Sequence, residues 1–185
     1  MTPTRTVVSQ LLPSICGAAW LRSVAGSSGT LGSAAAACGR VTNGGFETGD
    51  FQDWITSGAS ETISPTAHSG SYSAELGLGA PTSGDSSVSQ IINVGPSGGT
   101  LTLWYWVTCP DTVQYDWFTA SLQTTQGVVL ATLVPKTCVA SSGWTQVTYN
   151  LAAYAGQTIV LVNTNHDDNY VGDPTYTLLD DVSIQ

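Results

Sequence analysis

Between residues 41 and 185 the apolar residues come in short alternating runs, and clusters of Gly, Ser, Thr, Asn and Pro break the chain between them. No stretch sustains a helical period. Glu and Lys are scarce beside Thr, Val, Tyr and Trp, the residues that suit a pleated, half-buried surface. The pattern predicts strands near 71–77, 87–94, 101–109, 115–123, 128–134, 144–151, 158–165 and 175–184. Such strands must bury their apolar faces against one another, so the expected fold class is all-β: two packed antiparallel sheets.

The first forty residues read differently. Arg5 is followed by a broken apolar stretch from Val7 to Leu21, then by Gly, Ser and Ala, ending in four alanines and Cys38. This is the order of an export signal, weakened by Pro13, Ser14 and Gly17; a disordered leader and a lipid-attached Cys38 are the competing readings. The expected division is a signal-like or non-globular leader over 1–40 and one module over 41–185. No apolar run reaches the roughly 18–20 residues that cross a bilayer.

Charge narrows the partners. The chain has only 9% charged residues, and beyond residue 40 Lys136 alone faces thirteen carboxylates, a net −12. Such a surface repels phosphate backbones and anionic lipid, which excludes nucleic acid as a partner. Cys109 and Cys138 each end a strand-like run. In an exported protein they form one bridge, and in a reducing compartment they stay two buried thiols.

Strand parity sorts the side chains. Leu101, Leu103, Tyr105, Val107 and Cys109 share one face and belong to the core, leaving Trp104 and Trp106 on the other. In the next run Phe118, Ala120 and Leu122 fit a core face, with Tyr115 and Trp117 opposite. If these two strands pair, Trp104, Trp106, Tyr115 and Trp117 form one aromatic patch outside the core. Pyranose rings stack their C–H faces on such side chains, so these four and Tyr170 are the candidate ligand-binding residues. Trp144, Tyr149 and Tyr154 are assigned to the core.

Four segments in order carry a family likeness: NGGFE at 43–47, HSGSYSA at 68–74, WTQVTYNLAAYAGQTIVLV at 144–162 and LLDDVSI at 178–184. This order resembles the galactose-binding-like jelly-roll domains, which include many carbohydrate-binding modules of secreted bacterial hydrolases. CPDTVQYDW at 109–117 and HDDNYVGDPTYTLLDDV at 166–182 are similar to a subtype found beside secreted peptidases and glycosidases. The resemblance implies a jelly-roll sandwich. It also implies a structural calcium held by Glu47, by Asp180 or Asp181, and by backbone carbonyls of the loop from His68 to Gly70.

The residues themselves leave that metal open. Asp180 shares parity with Val182 and Ile184, which points it inward, and a buried carboxylate needs a partner that a chain so poor in Lys and Arg does not supply. Either a cation or backbone amides must fill that role. A second acidic group, Asp111, Asp116, Asp167, Asp168, Asn169 and Asp173, is either another oxygen-ligand site, a set of acceptors for ligand hydroxyls, or a turn built by Asx side chains.

Catalytic signals are thin. The one G-x-S-x-G match, Gly95 to Gly99, lies in a glycine-rich loop and lacks the strand-to-helix setting of a nucleophile elbow. His68 and His166 have no recognisable Ser or Cys partner. The expectation is therefore an extracellular or cell-surface module that binds polysaccharide without catalysis, contains calcium and works beside a secreted hydrolase domain. The rivals are an accessory or self-associating domain of a secreted peptidase or cell-surface system, and a glycan-active hydrolase with a carboxylate pair.

Overall fold

The computed structural model describes residues 39–185, and the leader reading for residues 1–38 lies outside them. Ten strands form two five-stranded sheets, antiparallel throughout. The strands are β1 (Ile55–Gly58), β2 (Glu61–Ser64), β3 (Ser73–Gly77), β4 (Ser83–Asn93), β5 (Thr100–Thr108), β6 (Trp117–Gln123), β7 (Val129–Thr137), β8 (Thr145–Asn150), β9 (Thr158–Asp168) and β10 (Tyr176–Ile184). The first sheet has the order β1-β4-β9-β6-β7 and the second β2-β3-β10-β5-β8. Most neighbours are distant in sequence, so the chain passes repeatedly between sheets in a jelly-roll sandwich.

Alternation explains the core. Leu101, Leu103 and Val107 of β5 meet Phe118, Ala120 and Leu122 of β6 across the sandwich, with Leu161 of β9 and Leu179 of β10 in the same buried cluster. Tyr105 lies at its margin, its ring stacked on Phe118 with centroids 5.2 Å apart. Phe46, on the segment leading into β1, packs against Trp54 and seals one end.

Three expectations need correction here. First, β1 and β2 were not expected. Every residue of β1 is exposed, and β2 has a single apolar residue, Ile63, among its four, so neither run carries the apolar alternation that marks a half-buried strand. Second, β5 and β6 do not pair. The segment 109–116 carries the chain from the second sheet to the first, so Trp117 and the pair Trp104 and Trp106 occupy opposite outer faces. Third, Trp144 is not a core residue. It shares parity with Gln146, which pairs with Trp104 on the outer face, whereas Val147 and Tyr149 of the same strand turn to the core.

The cysteine alternatives resolve into a bridge. Cys109, after β5, is joined to Cys138, after β7, with Cα atoms 5.1 Å apart, so the disulfide clips the two sheets together at one end. Among the described residues no helix is long and apolar enough to cross a membrane.

Candidate functional site

The outer face of the second sheet carries an aromatic ridge. Trp104 and Trp106 project from β5, opposite Asp180 and Leu178 of β10. His68 lies almost flat on Trp104, ring centroids 3.8 Å apart and planes 18° apart, and meets Trp144 edge-on at 5.5 Å. Trp144 in turn meets Trp106 edge-on at 6.0 Å, and the Trp106 indole N–H donates to Ser141 Oγ at 3.0 Å. All four rings are half-buried. Sequence parity placed Trp104 and Trp106 here but missed Trp144, and it missed the His68 ring as part of the ridge, having weighed it only as a base and its backbone carbonyl only as a metal ligand. A cleft of about 440 Å³ beside Trp104 and another of about 350 Å³ beside Trp106 flank the ridge.

Beside this ridge lie the first acids, of which Asp180 alone is buried. The Ser71 and Tyr72 amides donate to Glu47, and the His68 and Ser69 amides donate to Asp180 Oδ2 at 2.8 and 3.2 Å. Asp181 takes the His68 Nδ1–H at 2.6 Å and the Ser69 hydroxyl at 2.7 Å. A β-carbon at Gly45 would stand 3.7 Å from Asp180 Oδ1, from Asp181 Oδ1 and from Glu47 Cγ, so two carboxylates face this glycine while the Glu47 carboxylate turns to the Ser71 and Tyr72 amides. Gly70 has φ +68°, and any side chain there would run into the Glu47 carboxylate.

Asp180 does not point between the sheets. The register of β10 shifts between Asp180 and Ser183, and Asp181 adopts φ +48°, a bulge that reverses parity. Val182 and Ile184 therefore face the core while Asp180 faces outward, fully buried beneath the loop at His68 and Ser69. Burial pushes its carboxyl above the ordinary aspartate range, opposed by the Ser69, Asp181 and His68 amides.

The second acidic group gathers at a rim formed by the 109–116 and 169–175 segments. Carboxylate oxygens of Asp111, Asp116 and Asp168 lie within 4.8 Å of one another, and such a cluster can chelate a metal ion. Asp116 is fully buried and accepts the Asp168 amide at 2.8 Å and the Thr175 hydroxyl at 2.7 Å. Burial raises its carboxyl; the charges of Asp167 and Asp168 add to that rise, and its hydrogen bonds oppose it. Asp173 Oδ1 is shielded from solvent without a hydrogen-bond partner among the described residues, and burial and the neighbouring acids raise this carboxyl too. Asp167 instead builds the turn, accepting the Asn169 and Thr175 amides at 2.7 and 2.8 Å, with Asn169 at φ +71°. Tyr115 and Tyr170 lie on these same two segments, 52% and 65% exposed, away from the Trp ridge.

Trp117 has its own neighbours on the outer face of the first sheet. His166 stacks on it at 5.1 Å, Lys136 Nζ lies 3.6 Å from its ring centroid, and His166 Nδ1 donates to Asp85 at 2.7 Å. The row runs across four strands, from acid to imidazole to indole to ammonium. With His68 on Asp181 and His166 on Asp85, neither imidazole is hydrogen-bonded to Ser97 of the Gly95–Gly99 turn.

The sequence matches no protein-family model and no curated protein. Solved structures do share its fold. It is similar to a family-61 carbohydrate-binding module solved with β-1,4-galactotriose, with TM-score 0.56 and 18% identity over 78% of this chain and 96% of that one. A β-sandwich carbohydrate-binding module described as promiscuous in specificity gives TM-score 0.50 and 12% identity over 80% of this chain and 63% of that one. A Stig cyclase from Fischerella sp. TAU, solved with an indole derivative, gives 0.50 and 16% over 78% and 94%. The chain thus has a carbohydrate-binding-module-like β-sandwich fold, a scaffold found in binding modules and in an enzyme alike.

Proposed function

We propose that residues 41–185 form a non-catalytic, extracellular carbohydrate-binding module and that residues 1–40 are its export leader. The observation that carries this reading is the ridge of Trp104, Trp106, Trp144 and His68 on an outer sheet face, flanked by two clefts. Half-buried rings held edge to face present fixed apolar edges and faces to a sugar, and nearby carboxylates accept its hydroxyls. The family-61 module with its bound galactotriose is a counterpart in fold and supports a glycan as partner. The disulfide supports an oxidising location outside the cell. A neighbouring hydrolase domain would raise the effective concentration of a weak single site.

Calcium is the cation that this reading assigns to the acids. Asp180 and Asp181 meet at Gly45 with the Glu47 side chain alongside, and Asp180 Oδ1 and Glu47 Oε2, which accept one amide each, keep lone-pair capacity for a cation. Asp111, Asp116 and Asp168 offer a second all-oxygen set. Hard oxygen donors without nitrogen or sulfur suit calcium rather than zinc. In both places the ion would tie loops to strands and offset buried negative charge.

The test is binding of the full chain to soluble galactan, xylan and β-glucan by affinity electrophoresis and calorimetry. Loss of binding in both Trp104→Ala and Trp106→Ala, with folding retained, is the expected result. Binding that survives both changes removes the ridge as the ligand surface. A second reading, self-association, is favoured by exposed apolar residues on the first sheet: Ile91 and Val129 lie in one cross-strand row through Val160 and Gln123. Concentration-dependent mass by light scattering, with no glycan bound, would select it.

A further inference from the structure

The 350 Å³ cleft beside Trp106 contains groups that the aromatic ridge does not use. Glu75 of β3 stands opposite Leu178 of β10, and Leu178 stands opposite Trp106 of β5. The backbone positions of Glu75 and Trp106 are therefore two strand spacings apart, roughly 10 Å, with Leu178 as an apolar floor between them. Tyr176 and the segment at Ser64 and Thr66 supply the walls. Trp106 is fixed by its bond to Ser141 and its edge contact with Trp144, so the ring is already oriented before any ligand arrives. The volume sits at the small end of the roughly 300–1,000 Å³ range of ligand sites, room for one or two sugar rings rather than a long chain.

The chemistry of the cleft is one-sided. An ionised carboxylate only accepts hydrogen bonds, so Glu75 calls for O–H donors and repels anions. Among the described residues no lysine or arginine lines the cleft, and Lys136 is held over Trp117 on the other sheet. Glu47, Asp180 and Asp181 add negative charge along the same face. Burial raises the Glu75 carboxyl, against the pull of the Ser64 hydroxyl, so the group is kept there at a cost to folding.

Resting on the glycan-binding reading, we infer that this cleft is a subsite for an uncharged sugar residue: its ring lies on Trp106, its hydroxyls donate to Glu75, and uronic-acid or sulfated glycans are excluded. Glu75 is the specificity-determining residue.

The experiment compares the full chain with Glu75→Gln and Trp106→Ala against neutral galactan, xylan and β-glucan and against polygalacturonate, with thermal unfolding as a folding check. The wild type binds at least one neutral glycan and not polygalacturonate. Glu75→Gln, nearly isosteric, weakens neutral binding about ten-fold or more, the scale of a hydrogen bond to a charged group, and raises polygalacturonate binding. Trp106→Ala abolishes both. If binding needs Trp106 but Glu75→Gln stays within two-fold of wild type, or wild type holds polygalacturonate as tightly as neutral glycan, the subsite is overturned and the glycan-binding reading stands. If no glycan binds wild type, both fall.

Discussion

The imidazole of His68 covers one face of the Trp104 indole at 3.8 Å while its Nδ1–H is held by Asp181 at 2.6 Å. Trp104 is therefore not a free platform on both sides. His68 couples the loop that meets the buried acids to the ridge proposed to hold ligand. Replacing His68 with Ala removes a stacked pair worth about 0.5–1.5 kcal/mol. For a domain of this size that lowers the melting temperature by about 1–6 °C. Tryptophan emission should shift to longer wavelength as water reaches Trp104. An unchanged emission maximum would mean that the indole is sheltered without the imidazole.

The disulfide spans 29 residues and joins the end of β5 in one sheet to the end of β7 in the other. In the chain-entropy model such a closure stabilises by about 3–4 kcal/mol. The double variant Cys109→Ser, Cys138→Ser should melt on the order of 10 °C lower. A shift under about 2 °C would show that the sheets need no clip at this end.

Asn163 is fully buried on β9, between Val88 and Ala120 on the neighbouring strands, and neither polar atom of its amide has a hydrogen-bond partner among the described residues. A buried, unbonded amide costs about 1–3 kcal/mol. Asn163→Val puts a β-branched side chain of similar size at a strand position and removes that cost, so its melting temperature should rise by a few degrees. A fall of similar size would show that the amide is bonded through an enclosed water.

Much of this architecture was legible, and the failures have physical causes. The alternation in β5 and β6 gave their core faces because each strand has one buried side. β1 has no buried residue and β2 offers only Ile63 as an apolar one, so these four-residue runs carry no such signature. Adjacency in sequence suggested that β5 and β6 pair, yet the chain crosses between sheets through 109–116, and the expected single patch splits into two. The outward turn of Asp180 depends on a left-handed Asp181, which adds one residue and flips parity; nothing in the letters DD marks that bulge. Trp144 was readable in principle, since it shares parity with the exposed Gln146.

Glu75 gives a pH-dependent stability of defined sign. Burial raises its folded carboxyl above the ordinary 4.5, so its favourable contribution is present below that value and lost as pH rises through the raised one. Glu75→Gln removes the ionisation. The variant should melt above wild type at pH 7, and the gap should close as pH falls toward 4. Equal melting at both pH values would mean that the folded carboxylate is as well solvated as the unfolded one.

Calcium should act on the same axis from the opposite direction. Burial raises the carboxyls of Asp116, Asp173 and Asp180, so in chelator their ionisation weakens the fold as pH climbs past the usual aspartate value of 3.8. A divalent ion that binds only the folded chain stabilises by about 2.7 kcal/mol at a hundred times its dissociation constant. After EDTA treatment, calcium should therefore raise the melting temperature by about 5–10 °C at pH 7, and by much less near pH 4, where the carboxyls hold protons. Asp111→Asn and Asp168→Asn should remove the share due to the rim, and Glu47→Gln the share due to the acids around Gly45. If millimolar calcium moves no transition at pH 7, backbone amides and hydroxyls alone carry these buried charges, and both cation sites are withdrawn.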